Sequence, residues 1–173
     1  SLFYYAGLTT RLGKVEEGNA VSDYNEDEIE RRISINLSAG SFEYSGKKIT
    51  LIDTPGYLDF TGEIISGIKV CDTAVFTVNA DTGIDGGAES IWETFLENKK
   101  PVLFYINKLD KDNLDLDAIT KSIENKFDIK LVPLNVPLGA GGGFKSYADV
   151  LSMKKIKIEN NKPAQEPLDA HDE

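Results

Sequence analysis

The sequence has little sulfur and almost no imidazole: one cysteine, Cys71, and one histidine, His171, in 173 residues. A lone cysteine forms no internal disulfide and no cysteine-based zinc site, which fits a reducing compartment. His171 lies in a polar, proline-containing tail, where a catalytic role carries almost no weight. Long apolar runs are missing as well. None approaches the roughly 18 residues of a membrane span, and no signal-peptide pattern is present, so a soluble, cytoplasmic protein with no membrane partner is expected. Excess positive charge is also absent. The formal net charge is -10, which argues against a generic phosphate-backbone binder and against direct DNA binding, while leaving room for local patches to dock on a ribonucleoprotein.

What is present is the composition of a folded domain. Apolar residues make up 40%, with 15 glycines and 6 prolines, and the length suits one domain with a small appendage. Ser1 to Ala6 read as the last turns of a helix ending at Gly7, so an upstream portion is expected to be missing. From Leu8 to about Ile33 there is little periodicity, and Asp23 to Arg32 is dense in charge. That run is either a solvated loop or frayed helix, or a mobile segment that orders on a ligand.

The middle of the chain is strongly patterned. Phe42 and Tyr44 alternate with polar residues, Ser45-Gly46 marks a turn, and Lys47 to Asp53 follows, a hairpin signature. Phe60, Ile64, Ile68 and Cys71 then fall on one helix face, which makes Cys71 a buried helix residue. Ala74 to Val78 and Val102 to Ile106 are short apolar runs bounded by turns, hence buried strands. Between them Ala88, Ile91, Trp92 and Phe95 mark a helix, and Leu116, Ile119, Ile123 and Phe127 mark another. Strands alternating with helices predict βα units and a mostly parallel sheet, with the hairpin strand at its edge. After Phe127 the style changes: a strand from Lys130 to Leu138 with two prolines, a glycine-rich loop from Gly139 to Phe144, a strand around Ile156 and Ile158, and a loose tail from Asn160.

Two stretches carry chemistry, each at the carboxyl end of an expected strand, where open α/β sheets bind ligands. In Asn107-Lys108-Leu109-Asp110 the carboxylate can accept two hydrogen bonds from the N1 and N2 donors of guanine, which adenine does not offer. Asn107 would brace the loop or the base edge, and the stem of Lys108 would lie on the base plane. The alternative is a turn into a helix, capped by Asp110 or Asp112. In Asp53-Thr54-Pro55-Gly56 the carboxylate can hold a water on Mg²⁺, and the Gly56 N–H can approach a γ-phosphate because no side chain blocks it. The alternative is a Pro-Gly turn between strand and helix. Gly139 to Gly143 is declined as a phosphate loop, because no Lys-Ser/Thr and no amphipathic helix follow it.

Asp53-Thr54-Pro55-Gly56-Tyr57-Leu58-Asp59-Phe60, Asn107-Lys108-Leu109-Asp110 and Glu30-Arg31-Arg32-Ile33-Ser34-Ile35 together resemble the GTPase domain of bacterial elongation factor G and its paralogues, over Tyr4 to about Lys155. The resemblance implies an α/β, P-loop NTPase-like fold: a mostly parallel sheet with helices on both faces, truncated at the N-terminus. Residues 1-128 would be a partial GTP-binding domain without its phosphate loop. Residues 129-173 would be part of an inserted α+β subdomain and a loose acidic tail. It implies GTP or GDP and Mg²⁺ as ligands, with Ser34 at the position of the switch-loop threonine that meets the metal, and the ribosome as partner of an intact, monomeric parent.

Three departures bear on activity. The family's GxxxxGK[ST] sequence, whose backbone and lysine cradle the phosphates, does not occur. Its Ser-Ala motif against guanine is missing too. Its histidine after the Pro-Gly turn, which orients the attacking water, is Tyr57 here; a phenol hydrogen-bonds a water but cannot act as imidazolium. The departures point to the divergent factor-G-like group and count against efficient hydrolysis; the resemblance implies a GTPase parent, and the missing phosphate loop an inactive isolated chain. The rival expectation is a non-hydrolysing binding module that uses nucleotide, if at all, as a conformational ligand.

Overall fold

The computed structural model describes residues 2–7, 9–10, 13, 20–84, 86–139, 145–159 and 162–168. The chain divides into two compact units, Ser1–Ala74 with Ser90–Val102 and Val75–Glu89 with Leu103–Glu173. Among the described residues no helix is long and apolar enough to cross a membrane.

In the first unit, α1 (Leu2–Tyr5) ends at Gly7, which takes a φ of 76° and donates its N–H to the Tyr4 carbonyl. A second short helix, α2 (Glu26–Arg31), occupies the charge-dense run. The expected hairpin follows as β1 (Ser38–Tyr44) and β2 (Lys47–Asp53), antiparallel, with Tyr44 opposite Lys47 and Ser38 opposite Asp53. Ser45 and Gly46 both sit at positive φ, 49° and 71°, the primed turn whose twist matches that of the strands it joins.

A 3₁₀ turn at Leu58–Phe60 leads into α3 (Thr61–Val70), whose Ile64, Gly67 and Ile68 are buried. The helix stops one residue before Cys71, which is extended and half-buried rather than a buried helix residue; its Sγ donates to the Ile68 carbonyl at 3.4 Å. Lys100 Nζ donates to the carbonyls of Lys69 and Cys71 at 3.3 and 2.6 Å, a cation placed on the negative end of the helix. Trp92 and Phe95 of α4 (Ala88–Glu97) meet edge to face at 6.4 Å.

In the second unit, β3 (Ala74–Asn79) pairs with β4 (Val102–Asn107). Ala74 N–H donates to Pro101 and Ala80 N–H to Asn107, so equal offsets at both ends run the two strands parallel. The helix α5 (Leu116–Phe127) is capped by Asp115, whose Oδ1 accepts from Ala118 N–H at 2.9 Å. Its Ile123 is fully buried, and Phe76, Phe104 and Phe127 form a triad with centroids 5.5 to 5.8 Å apart. The apolar runs and the 3.6-residue stripe form a strand pair and a helix with one shared aromatic core, but the strands are not buried on both faces as expected: Val75, Leu103 and Tyr105 are exposed.

The rest is a four-stranded antiparallel sheet in the order β5 (Asn135–Leu138), β6 (Ser146–Asp149), β7 (Lys154–Glu159), β8 (Lys162–Pro167). Two expectations are corrected here. The strand from Lys130 shrinks to its last four residues, because the Leu131 N–H donates to Glu124 Oε1 and Pro133 has no N–H to give. The tail from Asn160 is not loose throughout: Lys162–Pro167 pairs with β7, with Pro163 opposite Ile158 and Pro167 opposite Lys154. The two prolines share one parity on an edge strand, the setting in which a missing N–H can be tolerated.

Candidate functional site

The expected site residues fall into two groups, one in each compact unit. Ser34, Asp53, Gly56 and Tyr57 belong to the first. Asn107, Lys108 and Asp110 belong to the second.

In the first unit the segment before β1 is organised by carboxylates. Glu28 is fully buried. Its Oε2 accepts the N–H groups of Tyr24 and Asn25 at 3.1 and 3.0 Å, and its Oε1 those of Ile35 and Asn36 at 2.8 and 2.9 Å. Burial pushes this carboxyl up, but the hydrogen bonds from Asn36, Asn25, Ile35 and Tyr24 outweigh it and hold it below the ordinary glutamate range. Leu37 N–H donates to Glu63 Oε2 on α3 at 2.9 Å. The Ser34 hydroxyl donates to Asp23 Oδ1 at 2.7 Å, with Asp23 itself buried. The charged run is thus a short helix anchored by two buried acids, Asp23 and Glu28, while Glu26, Asp27 and Glu30 to Arg32 remain solvated as the plain reading of a charge run expects.

Asp53 ends β2 at an exposed position, and Thr54-Pro55 turns the chain toward α3 with Pro55 buried. A β-carbon on Gly56 would meet nothing within 4 Å, and its φ is not in the left-handed region. Neither backbone strain nor crowding by the protein demands glycine there. Tyr57 precedes the 3₁₀ turn with its side chain 56% exposed. The hairpin sets Ser38 across from Asp53, so Ser34 lies four residues of chain from the partner of that carboxylate.

A hydroxyl and one carboxylate are the donors expected for a Mg²⁺ that also binds substrate phosphates and several waters. The Ser34 oxygen keeps its lone pairs while donating its proton to Asp23. Among the described residues no three His, Cys, Asp or Glu side chains gather into a metal cage. Ser34 and Asp53 are of the residue types that would hold such an ion together with its phosphates and waters.

In the second unit, Asn107 is the last residue of β4. Its carbonyl accepts from Ala80 N–H and its Oδ1 from Lys108 N–H, both at 2.9 Å. Lys108 takes a φ of 64°, a left-handed turn that swings the chain off the strand axis. Asp110 is exposed two residues on. Capping of α5 falls to Asp115 and not to Asp110 or Asp112, while the segment from Leu109 to Asn113 is a turn, closed by Lys111 N–H on the Lys108 carbonyl at 3.3 Å. A shallow pocket of about 260 Å³, lined by residues such as Val78, Thr82 and Ile119, contains none of these residues.

Glu28, Asp23, Glu63 and Asp115 carry the local geometry, and sequence reasoning does not single them out. Asn25-x-x-Glu28 has the spacing of a capping box, and Asp115 stands directly before the Leu116 stripe, so both had a local signal. Asp23 and Glu63 had none, since their partners are 11 and 26 residues away. Residues 140–144 of the declined glycine loop and His171 lie outside the described residues.

Comparison with known proteins gives a consistent result. The family model for the elongation factor Tu GTP binding domain matches residues 1–167. The chain is 36% identical over 155 residues to the mitochondrial ribosome-releasing factor 2 of Bos taurus, covering 90% of this chain and 20% of that protein. It is 35% identical over 155 residues to elongation factor G of Granulibacter bethesdensis, covering 90% and 22%. A solved structure from Thermus thermophilus superposes with a TM-score of 0.89 at 28% identity, covering 98% of this chain and 26% of the other. The chain spans about a fifth of the length of the curated relatives it matches.

Proposed function

The chain belongs to the elongation factor Tu GTP-binding domain family, and from that premise we propose that it is the guanine-nucleotide domain of a factor-G-like protein that hydrolyses GTP on the ribosome. Residues 1-128 are the nucleotide-binding part in this reading and residues 129-173 part of an inserted subdomain. The full-length protein works as a cytoplasmic monomer.

Asp110 accepts the N1 and N2 donors of guanine, Asn107 braces the loop, and the Lys108 stem covers the base. On the phosphate side the Gly56 N–H meets the γ-phosphate, and Asp53, through a water, and the Ser34 hydroxyl would hold Mg²⁺. Mg²⁺, when bound, neutralises charge on the transferred phosphoryl oxygens. Tyr57 lies next to the γ-phosphate contact and holds the attacking water by hydrogen bonds.

The observation that carries this reading is the division of labour after β4. Asp115 caps α5, so Asp110, exposed in the turn after β4, has no capping duty in that helix and its carboxylate is free of that role. Titration of the full-length protein with labelled GTP and ATP tests it. Preference for GTP by two or more orders of magnitude is expected for a site with paired base donors. Equal affinity for the two, or none for GTP, overturns it.

A second reading, a non-hydrolysing module that uses nucleotide as a conformational ligand, is favoured by Tyr57. Single-turnover GTP cleavage with ribosomes separates the two. Cleavage that rises on Tyr57→His identifies a GTPase slowed by its phenol, and no cleavage in either form supports the binding module.

A further inference from the structure

Glu28 is the one fully buried acidic side chain among the described residues, and the roles above do not use it. A buried carboxylate is tolerated only where its charge is met by good donors. Among the described residues its hydrogen bonds all come from backbone N–H groups, two before α2 and two after it. The Glu28 carbonyl adds a further hold, accepting from Arg32 and Ile33 at the helix end.

Ser34 is therefore bracketed by a single residue. The N–H of Ile33 is held by the Glu28 carbonyl, and the N–H groups of Ile35 and Asn36 by its carboxylate. Leu37 N–H continues the series onto Glu63 of α3, the helix that begins just beyond Asp53 to Tyr57. Charge-assisted hydrogen bonds are about twice as strong as neutral ones, and these are shielded from water.

We propose that Glu28 is the positioning residue of Ser34: its carboxylate clasps the backbone before α2 and just after Ser34 and so fixes, before nucleotide arrives, the place from which the hydroxyl, bonded to Asp23, would serve a metal. The proposal rests on the assignment of Ser34 as a metal donor. Nucleotide then meets a segment already folded, and the ordering entropy of residues 33–37 is spent on folding and not on binding. Glu28 touches neither substrate nor metal, so its effect is carried entirely through Ser34.

Amide hydrogen exchange on the nucleotide-free chain is the first arm of the test. Tyr24, Asn25, Ile35 and Asn36 are expected to exchange about 100-fold or more below unstructured rates, as for locally protected amides. Glu28→Gln offers one oxygen instead of two and turns a donor toward the other pair. It is expected to speed exchange at one pair at least about tenfold while the Ile123 and Phe127 amides change less than about twofold. Fast exchange at all four amides in the unaltered chain overturns the proposal. So does a Glu28→Gln chain that loses protection everywhere, since Glu28 is then a general stability residue.

The Mg²⁺ requirement for GTP binding by the full-length protein is the second arm. Glu28→Gln is expected to raise the Mg²⁺ needed for half-saturation about tenfold, in the direction of Ser34→Ala, with GDP affinity in the absence of Mg²⁺ unchanged. A shift with Ser34→Ala and none with Glu28→Gln overturns the positioning role. No shift with Ser34→Ala overturns the metal assignment itself, and exchange still reports whether the clasp exists.

Discussion

Gly67 of α3 lies so close to Thr54 that a β-carbon on the glycine would stand 2.8 Å from Thr54 Cγ2. The next neighbour, Ile52 Cγ2, would be at an ordinary 3.6 Å. Thr54 cannot easily give way, because the residue before a proline is confined to extended backbone and a β-branched side chain is stiff at χ1. The close approach seats α3 against the end of β2 and so fixes the turn that carries Asp53 and Gly56.

Gly67→Ala sets two effects against each other. Alanine gains about 1 kcal/mol in a helix interior, while an overpacked methyl costs about 1–3 kcal/mol. At 2.8 Å against a stiff partner the overlap wins, and net destabilisation of about 1 kcal/mol is expected. Thermal unfolding would show a fall of about 2–4 °C for a chain of this size. Thr54→Ser deletes the opposing methyl, so the double variant should recover most of the loss. A double variant no more stable than Gly67→Ala would mean the contact does not limit packing.

Arg32 gives the opposite case. It closes α2 in the left-handed region, at φ 56° and ψ 41°, where a side chain costs about 1–2 kcal/mol per residue and glycine costs nothing sterically. The unfolded chain gains freedom from the glycine, which offsets part of that. Arg32→Gly is expected to stabilise by about 0.5–1 kcal/mol in chemical denaturation. A drop in midpoint at unchanged slope would show that the exposed guanidinium makes a contact worth more than the strain.

How much of this is readable in the sequence depends on the range of the interaction. Ser45-Gly46 marks the hairpin turn, and the apolar stripes of α3, α4 and α5 need only neighbours three and four residues away. Glu28 escapes such a reading because a run of charge is ordinarily solvated; its burial depends on N–H groups from Ile35 and Asn36, beyond any helical period. β8 escapes it because proline marks loops, yet on an edge strand a missing N–H can be tolerated. The ion pair of Lys126 with Glu89, at 3.0 Å, likewise joins positions no local pattern links. In the candidate site the motif residues are picked out by sequence alone, whereas Glu28 and Glu63, which hold the backbone just after Ser34, are not.

Acid should expose those acids. Glu28 is held below the ordinary glutamate value of 4.5. Glu124 is also held low, chiefly by the Leu131 N–H, with burial opposing and Lys130 assisting. A folded-state value below the unfolded one means that the stabilisation is fully present above about pH 4.5 and is lost as pH falls through the folded-state value. The chain should therefore lose stability below about pH 4.5, with a slope set by the protons taken up on unfolding. Glu28→Gln removes one such proton and should flatten the acid limb of the denaturation midpoint against pH. An unchanged slope would mean that Glu28 is not ionised in the folded chain.

Asp110 and Asp115 stand within six residues of each other, the first exposed in a turn and the second capping a helix, and the proposed function gives recognition to the first alone. Asp115 supplies the side-chain acceptor for Ala118 N–H at the start of α5. Replacing a capping aspartate by alanine costs about 1 kcal/mol, so Asp115→Ala should lower the melting temperature by about 2–4 °C. The full-length protein should keep its preference for GTP over ATP, since the base does not meet this carboxylate. Asp110 is exposed, and an exposed substitution away from caps and cores stays within about 0.5 kcal/mol. Asp110→Ala should therefore leave unfolding unchanged while GTP binding falls toward that of ATP, because two guanine donors lose their shared acceptor. Competition binding and thermal unfolding on both variants read the two axes independently. If Asp110→Ala instead lowers the melting temperature like Asp115→Ala and leaves nucleotide preference intact, the turn after β4 is structural and the guanine assignment fails.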